Sequence, residues 1–279
     1  MAWRHVSRVA GLAVLAAALA PALWLRAPTT AAAGNARLGQ IIAGTHRSPS
    51  NIARDPYRRP ADVLAFFGIK PDASVIEILP GSAGYWTEIL GPYLKDRGRY
   101  VAAGPAPIVG KADLQPEIVK FAAKLAADPA RYGRVEVVEF VPAKFDFAAP
   151  ASADYVLTFR NLHNWMQSGR VEQALEAFHA VLKPGGILGI EEHRGRPDVE
   201  QDLRAKSGYV RQDYAIAMIE KAGFRFAGSS EVNANPKDTK DYPAGVWTLP
   251  PSWRLGDQDR ARYAAIGESD RFVLKFVKP

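Results

Sequence analysis

Hydrophobic residues along this chain alternate between two spacings. Dense apolar, β-branched runs at 74–78 (Val75, Ile76, Ile78), 98–103, 134–140, 153–159 and 186–191 read as buried strands. Between them apolar positions recur every three or four residues, which predicts helices. The stretch 116–127 sets Ile118, Val119, Ala122 and Leu125 on one side. The stretch 171–182 does the same with Ala174, Leu175, Phe178, Val181 and Leu182. This second helix runs into Lys183-Pro-Gly-Gly186, a set of breakers. Strands alternating with helices imply a parallel sheet with right-handed crossovers. A last helix at 209–222 precedes two late strands, 224–232 and 271–277, which suit an antiparallel pair closing the sheet edge.

One junction carries chemistry. Glu77 lies near the end of the first strand, and Pro80-Gly81-Ser82-Ala83-Gly84 turns into the amphipathic stretch 85–94. Strand, glycine turn and helix in that order form the nucleotide-binding corner of an open α/β sheet, where ligands sit beyond the carboxyl ends of the strands. Glycine lets a ligand approach the backbone, and the helix N-terminus offers free N–H groups. With five α/β units, Lys-Pro-Gly-Gly before the fifth strand and a terminal antiparallel pair, the chain resembles the class I S-adenosylmethionine-dependent methyltransferases. Asp55-Pro-Tyr-Arg-Arg-Pro60, Leu157-Thr-Phe-Arg-Asn-Leu-His-Asn-Trp165 and Gly245-Val-Trp-Thr-Leu-Pro250 resemble a bacterial group of predicted, often exported, methyltransferase-like proteins. That resemblance runs from about Gln40 to Pro279.

The resemblance implies an α/β, Rossmann-like open sheet, mostly parallel with a C-terminal antiparallel pair. It implies S-adenosylmethionine as cofactor and methyl transfer to an unidentified small molecule. It places Glu77, Gly81, Gly84, Tyr85, Arg160 and Asn161 around the cofactor. Leu79 and Ala83 stand where the family has its flanking glycines, and Gly84 falls one place late. The second strand ends in Ala102-Ala-Gly-Pro105, with no acid for the ribose hydroxyls. Loss of such a charge-assisted contact removes about 1.5–3 kcal/mol, so weak cofactor affinity or a different ligand is expected.

The loops after the fourth and fifth strands are neighbours in this fold, so His163 and His193 are expected to face one cleft. Histidine titrates near working pH, which makes both candidate catalytic bases; tying a loop down is the plainer role. Tyr57 and Arg58 from the N-terminal segment, Asn164, Tyr209, Arg211 and Trp247 are the substrate-binding candidates. An arginine fork among them suits a carboxylate or phosphate. His163, His193 and one of Glu191 or Glu192 also form a two-histidine, one-carboxylate set. A metal-dependent enzyme therefore stays open, as does a non-catalytic ligand-binding protein on the same scaffold. His46 reads as solvent-exposed and His179 as a surface residue.

Arg4 and Arg8 precede an apolar, alanine-rich run over 9–25, and Ala31-Ala32-Ala33 fits a cleavage site. This predicts a signal peptide over 1–33 and an exported, periplasmic chain. The other reading is an inner-membrane anchor, for which a run of this length broken by Pro21 is marginal. Residues 34–70 then read as a lid segment and helix, and 71–279 as a methyltransferase-like domain with a long insertion near 233–269. The leader holds three of the basic residues behind the net charge of +7, leaving +4. These remaining charges are scattered and do not alternate with aromatics, so no nucleic-acid partner is expected. Membrane contact is expected only through an uncleaved leader. There are no cysteines, which excludes disulfides and thiolate metal sites.

Overall fold

The computed structural model describes Met1 and residues 30–104, 116–140 and 146–279. The expected leader, as far as residue 29, lies outside the described residues. Helix α1 (Thr30–Ile42) and three short helices, α2 (Pro49–Ile52), α3 (Asp55–Arg58) and α4 (Pro60–Phe67), lead into β1 (Ser74–Ile78). There follow α5 (Thr87–Leu94), β2 (Arg99–Gly104), α6 (Pro116–Ala127), α7 (Pro129–Tyr132), β3 (Val135–Glu139) and β4 (Ala153–Phe159). Then come α8 (Leu162–Ser168), α9 (Val171–Val181), β5 (Leu182–His193), α10 (Gln212–Lys221), β6 (Arg225–Ser230), α11 (Arg260–Ile266) and β7 (Arg271–Val277). Among the described residues no helix is long and apolar enough to cross a membrane.

The strands form one sheet in the order β3-β2-β1-β4-β5-β7-β6. The first five are parallel, and β7 runs antiparallel between β5 and β6, as expected. Strand order reverses between β1 and β4, so the crevice for a ligand opens at their carboxyl ends. Alternation along each strand sends side chains to opposite faces. Val75, Tyr100, Ala102, Leu157 and Phe159 pack against Leu38, Leu64, Phe67 and Leu90 from α1, α4 and α5. Ile76, Ile78, Val101 and Val156 belong to the other face, with Phe178 of α9 and Ile219 of α10. A small third core of Tyr209, Tyr242, Val246, Leu249 and Tyr263 orders the long stretch between β6 and β7.

Two sequence expectations need correction. Lys183-Pro-Gly-Gly186 ends α9 but does not delay the strand, because β5 already begins at Leu182. Backbone bonds Gly185 N to Lys278 O (2.8 Å) and Lys278 N to Gly186 O (2.9 Å) hold that segment in the ladder. The helix expected from 209 starts at Gln212 instead. Val210 N donates to His193 O (2.9 Å) and Gly195 N to Val210 O (2.7 Å), so Tyr209 and Val210 lie extended beside the end of β5.

Candidate functional site at the carboxyl ends of the strands

The turn from β1 into α5 has three residues in the left-handed region, Leu79 (φ 54), Gly81 (φ 70) and Gly84 (φ 54). Leu79 keeps glycine-type backbone geometry despite its side chain. A Cβ at Gly81 would meet nothing within 4 Å, so the backbone there is open to a ligand. Beside the turn a cavity of about 80 Å³ is lined by Pro80, Gly81, Ala102, Gly104 and Phe121 among others.

Glu77 is buried under this turn and accepts a short hydrogen bond from the Tyr100 hydroxyl. Burial raises its carboxyl pKa from 4.5 to about 7, with the Tyr100 bond and the Arg58 charge opposing the shift. Stability from the neutral form is fully present below about pH 4.5 and is lost as pH rises through about 7. Glu77→Gln removes that loss. Between pH 5 and pH 8 the variant should gain on the order of 3 kcal/mol relative to wild type, read from urea midpoints. Identical pH dependence in both proteins would refute this assignment.

The segment before α4 ties the loop after β1 to the loop before β7. Asn51 Nδ2 donates to Ala83 O (3.0 Å), and Arg47 forks onto Asp55 (2.6 and 2.8 Å), which also accepts from Tyr85 (2.5 Å). Arg54 forks onto Glu268 (2.6 and 3.0 Å). Tyr57 O accepts from Asn233 Nδ2 (2.8 Å) and Arg271 Nη2 (2.7 Å). Arg271, 1% exposed, sets Nη1 at 2.8 Å from Glu191 and 3.2 Å from Glu268. Arg58, 3% exposed, lies over the Tyr85 ring at 4.2 Å, and its guanidinium has no acceptor among the described residues. Arg160, at φ 61, has a buried Nε that is likewise without one. Burial depresses both pKa values, and neighbouring guanidinium groups add to it: Arg160 and Arg54 for Arg58, Arg54 for Arg160.

The two histidines do meet. Their rings are 5.4 Å apart between centroids. Glu192 accepts from His163 N (3.1 Å) and pairs with His163 Nδ1 (2.9 Å), so the Nδ1 side of the ring is engaged and Nε2 faces away from the carboxylate. His193 Nδ1 lies 2.6 Å from Ser269 Oγ. Burial, then the His163, Arg160, Arg271 and Arg54 charges, push the His193 pKa well below its ordinary value. His163, Glu192 and His193 place one ligand atom each within 4.8 Å of one another. However, Glu192 also accepts from His193 N (2.8 Å), and the surrounding arginines repel a dication, so this set suits proton transfer better than metal binding. Glu191, the other carboxylate considered, pairs with Arg271.

The remaining candidates divide between cleft and surface. Asn161 Nδ2 bridges Ile78 O and Thr158 Oγ1 (3.2 Å each), joining the ends of β1 and β4. The Trp247 ring sits 5.8 Å from His163. Tyr209 sits 6.4 Å from His193, with its hydroxyl donating to Asp238 (2.9 Å). Asn164 is exposed, and Arg211 forks onto Asp213 (3.0 and 2.5 Å) away from the histidines. Tyr57 is 41% exposed and offers its backbone oxygen rather than its ring to the cluster. His46 is half-buried with Nε2 2.9 Å from Glu88 O, not solvent-exposed as expected. His179 is half-buried against Phe224. Arg54, Glu268, Ser269 and Arg271 stand in no motif that the sequence displays. A signal for Glu268, Ser269 and Arg271 exists all the same, because a strand antiparallel to β5 must begin where β5 ends; Arg54 has none.

Comparison with known proteins agrees with this architecture. Residues 98–190 match the family model described as a methyltransferase domain, from just before β2 into β5. No curated protein matches the sequence. An S-adenosylmethionine-dependent methyltransferase from Aquifex aeolicus aligns at 17% identity and TM-score 0.54, over 88% of this chain and 98% of that one. The 4+2 cyclase SpnF aligns equally well, at 17% identity and TM-score 0.54, over 91% and 97%. Phosphoethanolamine N-methyltransferase 2 of Haemonchus contortus, solved with S-adenosyl-L-methionine, aligns at 14% identity and TM-score 0.53 over 88% of this chain and 57% of that one. The chain has the fold of these proteins, and residues 98–190 match a methyltransferase domain.

Proposed function

We propose that this chain is an S-adenosylmethionine-dependent methyltransferase acting on a small molecule. The observation that carries the reading is the open glycine turn at the point where strand order reverses, in a chain whose residues 98–190 match a methyltransferase domain. The residues present suit the cofactor. Gly81 leaves the backbone open, and the apolar cavity between the turn and the end of β2 suits part of a nucleoside. When bound, S-adenosylmethionine supplies a methyl group already activated as an electrophile. The chain then has to position an acceptor and take its proton. In this reading His163 takes the proton at Nε2; the support is that Glu192 engages its Nδ1 side. The end of β2 carries no carboxylate among the described residues, which favours modest cofactor affinity.

Isothermal titration with S-adenosylmethionine and S-adenosylhomocysteine should give micromolar dissociation constants. No heat at millimolar ligand overturns the reading. The leader-like sequence extends the proposal to an exported protein, in the periplasm or held at the inner membrane. A carboxyl-terminal reporter that is active only outside the cytoplasm should therefore be active.

A further inference from the structure

We propose that Arg58 and Arg160 form a buried receptor for an anionic group, a carboxylate or phosphate, on a small molecule bound in the cleft. Arg54, Arg58, Arg160 and Arg271 gather round two carboxylates, Glu191 and Glu268: Arg271 reaches Tyr57 O next to Arg58, and Arg160 N donates to Glu191 O. The carboxylates already have partners: Glu268 is held by Arg54 and Arg271, and Glu191 by Arg271. That leaves Arg58 and Arg160, which are the two whose side chains donate to nothing among the described residues. Glu77 also feels Arg58, but its carboxyl is hydrogen-bonded to Tyr100 and half-protonated near pH 7.

Buried arginine does not relieve this by losing its proton, and an unpaired buried charge is costly. A fold that keeps guanidinium nitrogens buried without an acceptor, as at Arg58 and Arg160, is under electrostatic stress that a bound anion removes. Geometry favours the same conclusion. The Arg58 Cζ is held 4.2 Å over the Tyr85 ring, itself fixed by Asp55, so its donors are pre-set rather than floppy. Arg160 is the first residue after β4, next to Asn161, and its charge reaches His193. Arg58 stands over the ring of Tyr85 from the glycine turn and Arg160 on the loop that carries His163, so an anion held by both would join these two sides of the cleft.

The inference deepens the proposed function by naming a chemical class for what occupies the cleft. The anion can belong to the acceptor or to the aminoacyl tail of the methyl donor. Both sources present the same chemistry, and the experiment separates them. The full chain is melted in malonate and in inorganic phosphate at constant ionic strength, without any methyl donor. Wild type should show a saturable rise in Tm with one of these anions. Arg58→Met and Arg160→Met should weaken that response at least about tenfold. Arg196→Met, which removes an exposed arginine paired with Asp198, should leave it intact.

Without anion, Arg58→Met should melt at or above the wild-type temperature, since it removes an unpaired buried charge. A purely structural arginine would show the reverse. Titration of the same variants with S-adenosylhomocysteine assigns the source. Affinity lost in step with the anion response identifies the donor tail, and affinity retained identifies the acceptor. An anion response absent from wild type, or equal in wild type and both cleft variants, overturns the proposal. It does so whether or not the methyltransferase reading survives, because the anion arm contains no cofactor.

Discussion

Glu268→Gln should destabilise the protein by about 3–5 kcal/mol at pH 7, more than any other single change of charge at the site. Glu268 is 5% exposed, takes both arms of the Arg54 fork and lies 3.2 Å from Arg271. Glutamine keeps the shape and removes the charge, leaving four arginines to one carboxylate. Breaking a buried ion pair by removing one partner costs about 3–5 kcal/mol. The titration behaviour gives a similar figure. Burial opposes the Glu268 charge, but Arg54 and Arg271 outweigh it and hold the pKa down from 4.5 to about 2. That difference corresponds to roughly 3 kcal/mol. The sign is fixed by the depressed folded-state value: the stabilisation is present above about pH 4.5 and is lost as pH falls toward about 2. Denaturant midpoints should therefore separate the two proteins widely at pH 7, and the gap should narrow through the acid range. A gap below about 1 kcal/mol at pH 7, or one independent of pH, would show that Glu268 carries no such role.

How far the sequence reveals this site depends on the range of the interactions. The strand positions of β1, β4 and β7 and the helix α6 are set by local periodicity, and they are legible to within a residue. The glycine turn is equally plain, since left-handed backbone at Gly81 and Gly84 leaves a compositional mark. Leu79 leaves none, because only the folded backbone shows that leucine sits there at φ 54. The meeting of His163 and His193 follows from the adjacency of β4 and β5. Pairings across large separations in sequence, such as Arg54 with Glu268 and Arg271 with Tyr57 O, leave no such trace. No periodic pattern encodes which charge will face which across two hundred residues. Topology narrows the choice only after the antiparallel strand is placed. Arg211 illustrates the opposite case. Its position after β5 suggests the cleft, yet Asp213, two residues away, offers a nearer partner and takes both arms of the fork.

Gly245→Ala is the second change expected to have a large effect, and its cost can be separated into parts. Gly245 adopts φ 58, and an added Cβ would lie 2.3 Å from Ser207 O and 2.8 Å from Ser207 C and Cα. These are backbone atoms, and Val246 N donates to that same Ser207 O (2.8 Å), so neither side of the contact can yield cheaply. Gly256 is the natural control: it has φ 62, but a Cβ there meets nothing within 4 Å. Gly256→Ala should therefore show the left-handed backbone cost alone, about 1 kcal/mol. Gly245→Ala should add the steric term and reach about 3 kcal/mol or more. The damage should also be local. Val246 belongs to the small core with Tyr209, Tyr242, Leu249 and Tyr263, and Trp247 packs against His163. Hydrogen exchange should accelerate across 233–266 in Gly245→Ala while β1 and β4 stay protected, because the two main cores do not depend on this stretch. Equal costs for the two alanine variants would mean that the Ser207 contact relaxes freely. Faster exchange in β1 as well would mean that the stretch between β6 and β7 supports the whole sheet rather than the histidine side of the cleft.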